Sequence, residues 1–126
     1  MRTQLFVYGT LMTGLRLNWL LRACGATLRG PAAITGYRMV NRGHCPGIVP
    51  FWPVNPDHAI KGEVWEVPAL FVWVLDFVEH AYIRTRTRTA DRRMAEVYEL
   101  IPGEDWEELP GVANGDWRTV KAEVAR

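Results

Sequence analysis

Leu5-Phe6-Val7-Tyr8-Gly9-Thr10-Leu11-Met12-Thr13-Gly14 is the stretch on which the fold turns. Gln4 to Tyr8 is a short apolar run ended by Gly9, the pattern of a buried strand. Thr10 to Gly14 then reads as a loop. A glycine where a strand gives way to a loop lets backbone N–H groups converge on a ligand oxygen. Tyr8-Gly9-Thr10-Leu11 is therefore a candidate for holding a carboxylate or an oxyanion without metal. The same four residues also suit an ordinary turn, and no GxGxxG or GxxxxGK[ST] pattern occurs.

Working outward, Leu17, Leu20, Leu21 and Cys24 follow helical spacing and predict a helix near 15–24, stopped by Gly25. Gly30, Pro31 and Gly36 punctuate one or two short strands through Val40. Residues 41–58 read as a long loop rich in glycine and proline. Lys61 to Val67 alternates and predicts a strand. Pro68 then opens a helix of about 69–80, where its missing N–H costs nothing. That helix is apolar on nearly every face, so it is expected to be buried. Tyr82 to Thr89 and Met94 to Ile101 predict a hairpin about the turn Asp91-Arg92-Arg93. The tail beyond reads as mostly irregular.

The bulk properties narrow the function. A chain of 126 residues, 48% of them apolar, fits one domain spanning 1–126 with a real core. A net charge of +1 provides no field to attract nucleic acid or membrane. No run approaches the roughly 18 apolar residues of a membrane span, and the N-terminal apolar run is too short for a signal peptide. Cys24 and Cys45 form no CxxC; one disulfide or two free thiols would fit, and a reducing compartment favours the thiols. The expectation is a soluble, cytoplasmic protein, with its oligomeric state left open.

Asp76 and Glu79 are three apart and share a helix face. Surrounded by Trp73, Leu75, Phe77 and Val78, the Glu79 carboxylate would be poorly solvated and its pKa raised above about 4.3. Such a base suits proton transfer near neutral pH. A solvated acid at a helix end is the alternative. Arg84, Arg86 and Arg88 alternate with Thr85, Thr87 and Thr89, which fits an anion or nucleic-acid contact or a solvated sheet face. His44-Cys45 lacks an orienting partner for nucleophilic catalysis. The histidines and cysteines show no metal-ligand spacing. The six tryptophans read as core, with Trp52 and Trp106 in loops where they could rim a pocket.

Seven segments, in order, resemble one family. They are Leu5–Gly14 with Tyr8-Gly9-Thr10-Leu11, Gly36-Tyr37 with Cys45-Pro46-Gly47-Ile48-Val49-Pro50, Lys61–Val67, Leu75-Asp76-Phe77-Val78-Glu79, Tyr82-Ile83-Arg84, Glu96-Val97-Tyr98 and Gly115-Asp116-Trp117-Arg118. Together they resemble the γ-glutamylcyclotransferase-like family, in its γ-glutamylamine cyclotransferase (avirulence-induced-gene-like) branch. The resemblance implies an α+β fold, a small mixed β-barrel flanked by helices. It implies cyclisation of a γ-glutamyl amide to 5-oxoproline with release of an amine or amino acid. Tyr8, Gly9, Thr10 and Leu11 would bind the γ-glutamyl group, Glu79 would be the catalytic acid/base, and Asp76 would hold nearby backbone N–H groups. Tyr82 and Arg84 would lie at or near the pocket. No cofactor or metal is implied, and the partner is a small γ-glutamyl molecule. One departure stands out: only His80-Ala81 separates Glu79 from Tyr82, where many relatives have a longer, glycine-bearing segment. A binding module that keeps the pocket without turnover is the competing expectation.

Overall fold

The structure is a computed structural model and describes residues 2–51, 58–102 and 106–124. In chain order it contains β1 (Arg2–Val7), α1 (Asn18–Ala23), β2 (Thr27–Ile34), β3 (Tyr37–Asn41), β4 (Pro46–Pro50), β5 (Ile60–Pro68), α2 (Ala69–Val78), β6 (Tyr82–Arg88), β7 (Met94–Leu100) and α3 (Trp117–Val124). The fold is α+β. Five strands form one mixed sheet in the order β2-β5-β1-β7-β6. β1 lies in its centre, antiparallel to β5 and parallel to β7. Leu5, Phe6 and Val7 are all buried, so both faces of this end of β1 are covered, which fits its unbroken apolar run.

The expected barrel is not closed. β2 and β6 are the two edges of the sheet, and they approach where Ala90, just past β6, donates its N–H to Ala33 O at 2.8 Å. β3 and β4 form a separate antiparallel pair, from Tyr37 opposite Pro50 to Asn41 opposite Pro46.

Several elements differ from expectation. The segment 41–58 is not simply a loop, because β4 lies within it. Its prolines sit at the two ends of a strand in a two-stranded ladder, where a missing N–H is tolerated. Gly30 and Pro31 lie inside β2, at a shift in its register with β5, rather than at its boundary. α1 is shorter than predicted, residues 15–17 being held in turns. Gly25 does stop it, with φ at +79°. The tail is not mostly irregular: fully buried Trp117 anchors α3. Pro68 ends β5 and caps α2, with extended ψ of 131°. The helix runs to Val78, with Glu79 as its C-terminal cap.

The largest correction concerns α2. Only Val72 and Leu75 are buried, whereas Leu70 is 80% exposed, Trp73 78% and Phe77 84%. The helix lays one narrow stripe on the sheet and turns the rest of its apolar surface outward. The tryptophans likewise divide: Trp65 and Trp117 are core, Trp19 and Trp73 are exposed, and Trp52 lies outside the described residues.

Candidate active site

The C-terminal end of β1 opens on a pocket whose walls come from five places in the chain. β1 and the residues after it deliver Phe6, Val7, Tyr8, Gly9, Thr10 and Leu11. The end of α2 delivers Glu79, the start of β4 delivers Cys45 and Pro46, and β6 and β7 deliver Tyr82 and Tyr98. The cavity between these walls is small, about 40 Å³. Gly9 is required by packing here: a Cβ would sit 2.7 Å from Pro46 Cγ.

Every residue brings one backbone donor and one acceptor, so the loop can be accounted for group by group. Gly9 O accepts from Met12 N–H at 3.0 Å, Thr10 O from Leu17 N–H at 2.9 Å, and Leu11 O from Asn18 Nδ2 at 2.8 Å. Among the described residues, none accepts from the N–H groups of Gly9, Thr10 or Leu11. The loop's carbonyls are thus bound to its own scaffold while three donors remain for something else. Glu63, a buried carboxylate in β5, secures the far end of the loop. Glu63 Oε1 accepts from Thr13 N at 2.8 Å, Thr13 Oγ1 at 3.1 Å and Trp65 Nε1 at 3.2 Å, and Arg118 donates to Oε2 at 3.1 Å. Burial pushes its pKa up, but these donors outweigh it and hold Glu63 below the usual carboxylate range. Glu63 was not singled out from sequence. Its signal was parity: in an alternating strand it shares a face with Trp65 and Val67, both core.

Glu79 is partly buried, and its carboxylate makes no hydrogen bond among the described residues. Burial raises its pKa, with Arg42 and Arg16 pulling the other way. The expected cause is corrected in detail, since Trp73 and Phe77 point away to solvent. The walls that desolvate Glu79 are those of the pocket, Phe6, Tyr8, Tyr82 and Tyr98 among them.

The tyrosines form a framework. Tyr8 donates its hydroxyl to Tyr98 O at 2.6 Å, so that proton is committed to the scaffold. Tyr82 donates to Pro46 O at 2.6 Å and accepts from Arg42 Nη1 at 2.9 Å. Burial, with Cys45 beside it, holds the Tyr82 hydroxyl well above the ordinary phenol range, so it stays neutral. Arg42 also lies over the rings of Tyr82 and Trp106, at 5.4 and 5.0 Å from their centroids. Trp106 therefore packs on Arg42 and does not line the pocket. Cys45 faces the pocket while His44 is exposed, and both cysteines are free thiols.

Two placements differ from expectation. Arg84 does not line the pocket; it donates to Asp76 at 2.9 and 3.1 Å and to Glu96 at 2.8 Å. Asp76 binds side chains rather than backbone N–H groups, accepting from Arg84 and from Tyr98 Oη at 2.7 Å. Tyr98 and Pro46 were missed as wall residues, because strands distant in sequence bring them in. Among the described residues, no group of three His, Cys, Asp or Glu side chains could hold a metal ion. No helix there is long and apolar enough to cross a membrane.

Residues 5–119 match the family described as Gamma-glutamyl cyclotransferase, AIG2-like. The chain belongs to this family. Solved structures similar to this AIG2-like chain include a uropathogenic Escherichia coli-specific protein, 23% identical with a TM-score of 0.83, covering 97% of each chain. An AIG2-like protein from Mus musculus is 23% identical with a TM-score of 0.72, covering 89% of this chain and 86% of its own. The ytfP protein of Escherichia coli is 28% identical with a TM-score of 0.67, covering 96% and 99%. Among curated proteins no relative matches.

Proposed function

We propose that this AIG2-like chain is a γ-glutamyl cyclotransferase that converts a γ-glutamyl amide to 5-oxoproline and a free amine or amino acid. The observation that carries the reading is the shared pocket: a desolvated carboxylate, Glu79, facing a loop with three uncommitted N–H donors.

The chemistry follows from what each group can do. The substrate's own α-amine is the nucleophile, but near neutral pH it is largely protonated. Glu79, ionised, takes that proton; a pKa raised by burial makes it a better-matched base than a solvated glutamate. The freed amine attacks the γ-carbonyl carbon, forming the ring C–N bond and placing charge on the carbonyl oxygen. The N–H groups of Gly9, Thr10 and Leu11 stabilise that oxyanion. Glu79 then passes that proton to the departing nitrogen as the original C–N bond breaks, and the freed carboxylate takes the second proton from the ring nitrogen to leave the neutral lactam. Ring closure is intramolecular, so the pocket mainly selects the folded substrate conformer. The tyrosine hydroxyls are committed to the framework, which leaves Glu79 as the proton carrier.

The test is a product screen. The protein is incubated with γ-glutamyl amino acids, γ-glutamyl amines and ε-(γ-glutamyl)lysine, and 5-oxoproline is measured. Release from at least one class is expected. Release from none, with tight binding of another small molecule, would make the pocket a sequestering site instead.

A further inference from the structure

Leu70, Trp73, Val74 and Phe77 form a continuous stripe along the outer face of α2, and all four are exposed. Their spacing of i, i+3, i+4 and i+7 puts them on one side of a helix. Phe71 and Val78 widen the stripe along one edge, while Val72 and Leu75 face the core. The helix has one charged residue, Asp76, and that is engaged by Arg84 and Tyr98. The bare surface is on the order of 600 Å², at the upper end of what a monomer leaves uncovered. It approaches the roughly 800 Å² that each partner contributes to a standard interface.

We infer that this face is covered by a second copy of the chain, laid antiparallel along α2 about a two-fold axis. The sequence of the stripe has the symmetry this requires. Positions 70 and 77 are equidistant from the midpoint between Trp73 and Val74. An antiparallel pair therefore sets each Leu70 against Phe77 of the other copy, and each Trp73 against Val74 of the other copy. A two-fold contact must repeat every pairing in reverse, and this one does so with a large side chain beside a smaller one at each level. Because the stripe carries no charge, the axis brings no like charges together. A membrane surface is a poorer occupant, since interfacial helices carry lysine or arginine on their polar face and α2 has neither.

The experiment is sedimentation equilibrium of the full 126-residue chain over a micromolar concentration series, with L70E and F77K beside the wild type. A concentration-dependent dimer is expected. Each substitution should weaken it by about a hundredfold, the loss of one well-packed anchor. Far-UV circular dichroism should not change, because both side chains are exposed in the single copy. Mixing the two variants should restore a heterodimer, since the new carboxylate of L70E meets the new ammonium of F77K. A wild-type chain that is monomeric throughout overturns the inference. So does a dimer that neither substitution weakens, or variants that fail to reassociate when mixed. Co-sedimentation of monomeric wild type with anionic phospholipid vesicles would overturn it in favour of a membrane surface.

Discussion

Asp76 and Glu79 are three residues apart at the end of one helix, and their surroundings drive them in opposite directions. Burial raises both, but at Asp76 the Arg84 guanidinium and the Tyr98 hydroxyl more than offset it, so this carboxyl lies below its ordinary range. Glu79 meets no donor among the described residues, and burial wins, with Arg42 and Arg16 only moderating the rise. The difference comes from which way each side chain leaves the helix terminus: one toward the β6–β7 hairpin, the other into the pocket. Two acids with divergent environments are a recurring arrangement where one must stay ionised as scaffold and the other must exchange a proton.

The comparison breaks most visibly through Glu79→Gln. The amide keeps the shape but cannot take a proton, so 5-oxoproline release should fall by about two to four orders of magnitude. Ligand affinity, followed by calorimetry, should change much less, because the loop donors are untouched. Wild-type turnover from Glu79→Gln would remove the residue from the mechanism. Asp76→Asn should show the reverse pattern, with turnover reduced less than by Glu79→Gln and stability lowered by about 1–2 kcal/mol in denaturant titration. The loss is small because Asp76 and Arg84 are both partly exposed and water screens the pair. A loss of turnover equal to that of Glu79→Gln would erase the distinction between the two acids.

Acid sharpens it further, because the two carboxyls have opposite linkage signs. Asp76 has a depressed folded pKa, so its stabilisation is present above its unfolded value of about 3.9 and is lost as pH falls through the lower folded value. The difference in melting temperature between wild type and Asp76→Asn should therefore shrink toward zero in strong acid. Glu79 has a raised folded pKa, so the fold is relatively favoured below about 4.3 and that advantage disappears as pH rises through the higher folded value. Glu79→Gln should accordingly melt higher than wild type at neutral pH, by no more than about 1 kcal/mol in stability, and lose that lead in acid. This is the smallest expected effect, and a lower neutral melting temperature for the variant would contradict the desolvation argument.

Much of this arrangement can be read from local pattern. β1 and the Tyr8-Gly9-Thr10-Leu11 turn follow from an apolar run stopped by glycine, and the β6–β7 hairpin follows from two alternating runs around a polar turn. What escapes is non-local. β4 hides behind prolines because only its pairing with β3 makes it a strand. α3 depends on the burial of Trp117, which neighbouring residues do not announce. For α2 the position is legible but its burial is not: a helix apolar on every side contains no record of which stripe meets the sheet. The site divides the same way. Glu79 and the loop stand out in the chain, while Tyr98, Pro46 and the fastening carboxylate Glu63 gain meaning only once distant strands align.

The placement of β1 has a consequence for how the chain is made. Leu5 pairs with Glu96 and Phe6 with Val97, so the strand synthesised first waits for one of the last. Until β7 has left the ribosome, the apolar edge of Leu5, Phe6 and Val7 has one flank unpaired, the condition under which nascent strands find the wrong neighbour. Parallel pairing across so long a separation is also slow. Translation stalled shortly before residue 94 should therefore yield chains that aggregate or recruit chaperones, whereas release of the 126-residue chain, with β7 and the core residue Trp117 in place, should let it fold.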